Sequence, residues 1–218
     1  MAEAELARFI DRFTVEYVRT YPHPIERVWQ AITDPAEFGR WFIRGRLELR
    51  AGGEYWFGDD GFTGKVSAVD PPRFIRFAGP TGDTGYFQYE LAPAPGGTRM
   101  RFVQHFPPEG VYTEVEGDLG GDLPVPGTPW KPGFVGGWHE FWDALADYLD
   151  GVPAGSRLPP TEFSELAVAW VRKMERSGVF TDRQADRAAL SLRRHERWNQ
   201  LNQLYREYLP RAVPAAKA

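Results

Sequence analysis

The chain has no cysteine among its 218 residues. That excludes disulfides, thiolate metal sites and a cysteine nucleophile. No apolar run approaches the roughly 18 residues of a membrane span, so no membrane partner is expected. The opening MAEAELARFIDRF carries acids where a secretory leader needs a basic stretch and an apolar core, which points to a cytoplasmic protein. Histidine is scarce, four in all, and no pair stands at metal-ligand spacing. GDDG at 58–61 is turn chemistry, and DLGGD in the later loop is too sparse for a calcium loop. With no phosphate-cradling glycine loop, no Gly-x-Ser-x-Gly elbow and no nucleophile beside a base, no catalytic residue, metal or cofactor is assigned.

Rings are what the chain has in abundance: aromatics make up 15% of it, against 42% hydrophobic and 26% charged residues overall. The net charge of −4 hides a division. Residues 1–151 hold 14 Lys+Arg against 23 Asp+Glu, whereas residues 152–218 hold 12 against 7. An acidic body and a basic extension are suited to docking on each other or on a neighbouring copy.

FTVEYVRTYP at 13–22 alternates and reads as a strand. IERVWQAIT then places Ile25, Val28, Trp29 and Ile32 at helical spacing, and Pro24 suits the first turn. A second short helix follows, with Asp34 as N-cap, Pro35 behind it and Glu37 where a capping box wants it. About six short strands come next, separated by AGG, GDDG, DPP, GPTGD and PAPGG. Connections that short require an antiparallel meander. On its last pair Phe87, Tyr89 and Leu91 share one face, as do Met100, Phe102, Gln104 and Phe106, with Arg99 and Arg101 turned away. Residues 107–135 form a Gly- and Pro-rich loop, expected to act as a lid with Gly110, Gly120, Gly121 and Gly127 as hinges. GGWHEFWDALADYLDG then sets Trp138, Phe141, Trp142, Leu145, Tyr148 and Leu149 on one helical face. Glu140, Asp143, Asp147 and Asp150 stand on the other, and Gly151 ends the helix.

The linker VPAGSRLPP at 152–160 leads to two more helices. One runs from about Thr161 to Arg176, with Phe163, Leu166, Ala167, Trp170, Val171 and Met174 on one face. The other runs from Thr181, with a capping box at Gln184, to Leu209. Its stripe is Leu190, Trp198, Leu201, Leu204, Tyr205 and Tyr208. Two helices alone bury too little to fold, so Phe163, Trp170, Trp198, Tyr205 and Tyr208 are expected to be buried. They would pack on the body or in a homodimer through residues 161–209, with a slight preference for the dimer.

An antiparallel sheet with one apolar face needs a cover, and only the 137–150 helix is long enough to lie across it. YPHPIERVWQAITDPAEFGRWF resembles the opening of the START-like (SRPBCC) superfamily. GGEYWF, VDPPRFIRF, GGTRMRFVQHF and GGWHEFWDALADYLDG resemble the strand and closing-helix motifs of its AHSA-type branch, related to the activator of heat-shock protein 90 ATPase. The resemblance covers roughly residues 13–151. It implies an α+β helix-grip (Bet v 1-like) fold, a curled antiparallel sheet of about seven strands over a long helix. The helical hairpin would be an added extension, giving a domain at 13–151 and an extension at 152–218. It also implies a cavity between sheet and helix, for which the candidates are Trp41, Phe57, Phe77, Phe87, Tyr89, Phe102, Gln104, Trp138, Phe141, Trp142 and Leu145. Relatives commonly place a polar residue at the position of Gln104. A fully packed core is the alternative reading of the same rings.

His105 and Glu90 fall on the strand face opposite the apolar one and read as solvated. His23 reads as structural, and His139 stands near the polar side of its helix. Arg183, Arg187, Arg194 and Arg197 line one face of the last helix. That helix is too long and aromatic, and the chain too acidic, for nucleic-acid recognition. The leading functional reading is a non-catalytic binding module for a small apolar or aromatic molecule. A protein-partner module like the chaperone activator follows, with a cyclase- or hydratase-like enzyme third, both from the resemblance alone.

Overall fold

The computed structural model describes residues 6–58, 62–79, 85–108, 125 and 127–215. Most of the lid expectation at 107–135 therefore lies outside the described residues. Eight antiparallel strands form one open sheet in the order β1-β2-β8-β7-β6-β5-β4-β3. They are β1 (Arg8–Asp11), β2 (Thr14–Tyr21), β3 (Gly45–Leu47), β4 (Glu54–Phe57), β5 (Phe62–Asp70), β6 (Phe74–Ala78), β7 (Tyr86–Ala94) and β8 (Gly97–His105). The seven expected strands are β2–β8. The eighth, β1, is four residues that pair back on β2, too short to show alternation.

Register sets the faces. Tyr17 pairs with Phe102 and Val15 with Gln104 across β2–β8. Tyr89 pairs with Phe102 and Phe87 with Gln104 across β7–β8. The concave face is thus aromatic. The convex face carries Glu16, Arg101 and Glu90, which pair with one another and with Arg8. A register irregularity between Val66 and Ala68 interrupts β5–β6, the kind of break that bends a sheet. At Gly64 any Cβ would meet the Ala78 carbonyl at 2.0 Å and the Tyr55 ring at 2.9 Å, so the tight curl there requires glycine.

Helices α1 (Ile25–Thr33) and α2 (Pro35–Trp41) close one end of the sheet. Asp34 caps α2, but through Ala36 N. Glu37 pairs with Arg27 on α1 instead of completing a box. Helix α3 (Pro132–Leu149) covers the concave face and begins five residues before Gly137. Past the linker come α4 (Glu162–Arg176) and α5 (Asp182–Ala212). The Thr181–Gln184 capping box is present. Helix α5 runs past Leu209 through Pro210, whose missing N–H is lost only in the final turn.

The second half of α5 lies on the outer side of α3. Leu201, Tyr205 and Leu209 join the main core there. At Gly136 a Cβ would already sit 3.1 Å from Leu201 Cβ, so a small residue on α3 sets how closely α5 crosses. Helix α4 packs on the first half of α5, through a small separate cluster of Val171, Ala185 and Ala189. Within one chain the expected burial is met in part on α5 and not by the rings of α4. Tyr205 is buried and Trp198 and Tyr208 are half-buried, but Phe163 and Trp170 are exposed. The α4 helix turns Val171 and Ser164, not its rings, towards α5, because small side chains let the two helices approach.

Candidate functional site

Between the sheet and α3 the candidate residues form one connected set. Phe57 meets Phe77 at 5.5 Å, Phe77 stacks on Phe87 at 4.8 Å, and Phe87 lies 6.1 Å from Phe102 between ring centroids. Phe102 approaches Trp138 at 4.4 Å and Trp142 at 4.8 Å. The two indoles stack at 5.1 Å. Tyr89 and Trp41 lie edge-on and tilted against Trp142, and Leu145 is fully buried beside them. The rings thus meet across the space where a cavity is expected. Two clefts on the described surface lie elsewhere. One of about 790 Å³ runs along the β3–β5 edge beside Arg46, Trp56 and Lys65. The other, about 440 Å³, sits between the linker and the α4–α5 arm.

The polar tips around these rings are mostly satisfied. Trp138 Nε1 donates to Gln104 Oε1 at 3.0 Å, Trp41 Nε1 to the Ala31 carbonyl at 2.9 Å and Trp130 Nε1 to the Arg12 carbonyl at 2.7 Å. Tyr17 donates to the Val135 carbonyl at 2.9 Å. Trp142 is the exception: its Nε1 is buried and has no hydrogen-bond partner. An indole N–H left unpaired in an apolar interior costs roughly 1–3 kcal/mol, and nothing in the sequence marks it. The candidate with most exposure is Phe141, at 36%. It stands edge-on to half-buried Phe42 at 4.4 Å, and Phe42 stacks on Trp138 at 5.9 Å. These three rings form a corner where α2 meets α3.

The charged groups noted in the sequence are occupied elsewhere. Glu90 accepts from Arg101 and Gln88 on the convex face. In that cluster burial pushes the Glu16 carboxyl up, but hydrogen bonds from Arg8 and Arg101 outweigh it and hold it below its ordinary value. His105 Nδ1 lies 2.9 Å from Thr14 Oγ1, and its ring stacks on Tyr86. His23 pairs with Asp150.

His139 stands on the polar side of α3, and there it is completely buried under α5. Arg19 Nη2 lies 2.5 Å from its Nδ1. A guanidinium can only donate, so Nε2 carries the proton and donates to the Tyr205 hydroxyl oxygen at 2.6 Å. The same oxygen accepts from Ala7 N at 2.9 Å. Burial, then the positive charges of Arg19 and Arg197, hold the imidazole well below its ordinary value. Two more acids of that face are engaged as well. Asp143 pairs with Arg197 of α5, and Asp147 with Arg157 and the Gly155 amide of the linker. Among the described residues no cluster of His, Cys, Asp and Glu could hold a metal ion, and no helix is long and apolar enough to cross a membrane.

The sequence model of a family described as Activator of Hsp90 ATPase homolog 1-like protein matches residues 22–150, more than half of the chain. No curated protein matches it. Solved structures do. The solution structure of CalU16 from Micromonospora echinospora aligns over 95% of this chain and 99% of its own at 19% identity, with a TM-score of 0.52. Coverage that wide has to include α4 and α5, so the extension belongs to a fold seen elsewhere. The AHSA1-like protein from Aeromonas hydrophila covers 63% of this chain and 92% of its own at 22% identity, TM-score 0.46. MLL2253 from Mesorhizobium loti covers 63% and 97% at 24% identity, TM-score 0.48.

Proposed function

The chain belongs to the Activator of Hsp90 ATPase homolog 1-like family, and from that membership we propose that it is a non-catalytic binding module for a small apolar or aromatic molecule bearing a hydrogen-bond acceptor. The unpartnered Trp142 Nε1 carries this reading. It is a directed donor in an aromatic wall, the combination of apolar lining and sparse polar groups that ligand sites use. Trp41, Phe57, Phe77, Phe87, Tyr89, Phe102, Gln104, Trp138, Phe141, Trp142 and Leu145 are the residues that would surround such a molecule. Entry is at the Phe42–Phe141 corner, where exposure is greatest. The rings touch one another, so binding has to part Trp138 and Trp142 from Phe102, and an apolar ligand then packs against the faces that separate.

Titration of 2-acetylnaphthalene and of naphthalene, followed by tryptophan fluorescence, tests this. The ketone is expected to bind about tenfold more tightly, the worth of one buried hydrogen bond. Trp142→Phe should abolish that difference while leaving naphthalene binding nearly unchanged. Saturable binding of neither compound would overturn the reading. The ring-filled interior would then favour the second one, a solid core whose surface engages a protein partner as the family description suggests, and stimulation of a chaperone ATPase would be its assay.

A further inference from the structure

Helix α4 is anchored on one side only. Val171 packs on Ala185 and Ala189 of α5, with Val168, Leu192 and Phe180 around them. Ser164 bonds Glu196, and Arg172 bridges Asp186 and Glu175. The opposite face presents Phe163 at 63%, Leu166 at 68% and Trp170 at 56% exposure. Three large apolar side chains on one rigid helix face form a patch that a globular surface rarely leaves uncovered.

The charges around the patch point to what covers it. Glu162 and Glu165 lie in the first turn of α4 and Lys173 and Arg176 in the last, and all four are exposed. Acids at one end and bases at the other make the helix complementary to itself when a second copy runs antiparallel. With Ala169 at the crossing, Glu165 faces Lys173 of the partner subunit and Glu162 faces Arg176 of the partner subunit. Trp170 meets its counterpart beside the two-fold axis, and Leu166 flanks it three residues from the crossing on either side. Ala169 is small and exposed, as a close helix crossing requires. A parallel pairing would set acid against acid. An anionic surface would be repelled by one end of the helix as much as it attracted the other.

We propose that α4 is a homodimerisation surface, an antiparallel, two-fold helix pair centred on Ala169. The isologous geometry lets every contact count twice. A single helix pair is small beside ordinary interfaces, so the dimer forms at concentrations on the order of micromolar or above. This inference is independent of the ligand reading.

Sedimentation equilibrium of the full chain from about 1 µM to about 300 µM tests it. The expected result is a mass rising from one chain to two. Leu166→Glu and Trp170→Asp, both at exposed positions, should each raise the midpoint by about tenfold or more. Glu165→Lys and Lys173→Glu should each weaken the dimer by about threefold, and the double exchange should restore it. One-chain mass throughout, or a dimer indifferent to Leu166→Glu, overturns the proposal. A dimer that Leu166→Glu weakens but the charge exchange does not restore overturns the antiparallel register. A monomer that binds phosphatidylserine vesicles through Trp170 replaces the second copy with a lipid surface.

Discussion

Helices α3 and α4 are written in similar patterns and end in different surroundings. Each carries an aromatic stripe on a helical period. On α3, Trp138 and Trp142 are buried against the sheet, and the opposite, acidic face is partly covered too, with His139 and Asp147 fully enclosed. On α4 the rings stand in solvent and the small residues face the neighbour. Periodicity therefore defines a face but not the cover for it. The sheet, eight strands curled around one helix, supplies room for indoles. The α4–α5 arm supplies only the narrow gap between two helices, which Val171 and Ala189 fill and a tryptophan would wedge open.

The largest effect that would break this comparison is at Trp142. Its replacement by alanine removes the ring that touches Trp138, Phe102, Tyr89 and Trp41. The expected loss is about 3–5 kcal/mol of unfolding free energy, read from the midpoint of urea denaturation. A loss below about 1 kcal/mol would mean that the interior is loose and that α3 is no better packed than α4.

Next in size is the clamp between α3 and α5. Tyr205→Phe keeps the ring in place and removes the oxygen shared by Ala7 N and His139 Nε2. Two buried donors are left unpaired, so a loss of about 1–3 kcal/mol is expected. An equal stability of the variant by the same denaturation would show that α5 rests on α3 by apolar contact alone.

The same clamp gives the molecule a pH dependence just below neutrality. In the unfolded chain His139 takes up a proton at its ordinary value, about 6.5. In the fold burial and the nearby Arg19 and Arg197 hold it well below that. The unfolded state then binds more protons as pH drops, so this contribution is complete above about pH 6.5 and is lost progressively below it. The slope approaches about 1.4 kcal/mol per pH unit for one such group. Stability measured between pH 7.5 and about 5 should fall along that line, and His139→Gln should flatten it. An unchanged slope in the variant would place the sensitive group elsewhere.

How much of this is legible in the sequence follows from the distance over which each feature is decided. The Asp34 cap and the Thr181–Gln184 box are decided within three residues, and the alternation of Phe87, Tyr89 and Leu91 within five. The Trp138–Trp142 face follows from the helical period, and the helix-grip order follows from motifs spread over the whole body. His139 is different. Its surroundings come from Arg19, 120 residues before it, and Tyr205, 66 residues after it, and no local pattern brings those together. The candidate rings join in one connected set that reaches Trp142 through Phe102, but the unpaired indole N–H is a geometric fact with no signature in the letters. On α4 the rings mark the stripe but not its cover, because within one chain the gap beside α5 favours small side chains.

The smallest expected effect sharpens the comparison from the other side. Trp170→Ala deletes a side chain as large as that of Trp142, but one that is 56% exposed and has Phe180, at 6.5 Å, as its ring neighbour. Much of its apolar area is in water before and after unfolding, so little transfer free energy is at stake. In dilute solution, where one chain stands alone, the unfolding free energy should change by no more than about 0.5 kcal/mol. Helix propensity pulls slightly the other way, since alanine is the better helix former, and a small gain is an equally consistent reading. A loss comparable with that at Trp142 would require the ring to be covered within a single chain, and the contrast between the two helices would disappear. An indifferent monomer together with a weakened dimer assigns the cost of Trp170 to the encounter between copies and not to the fold.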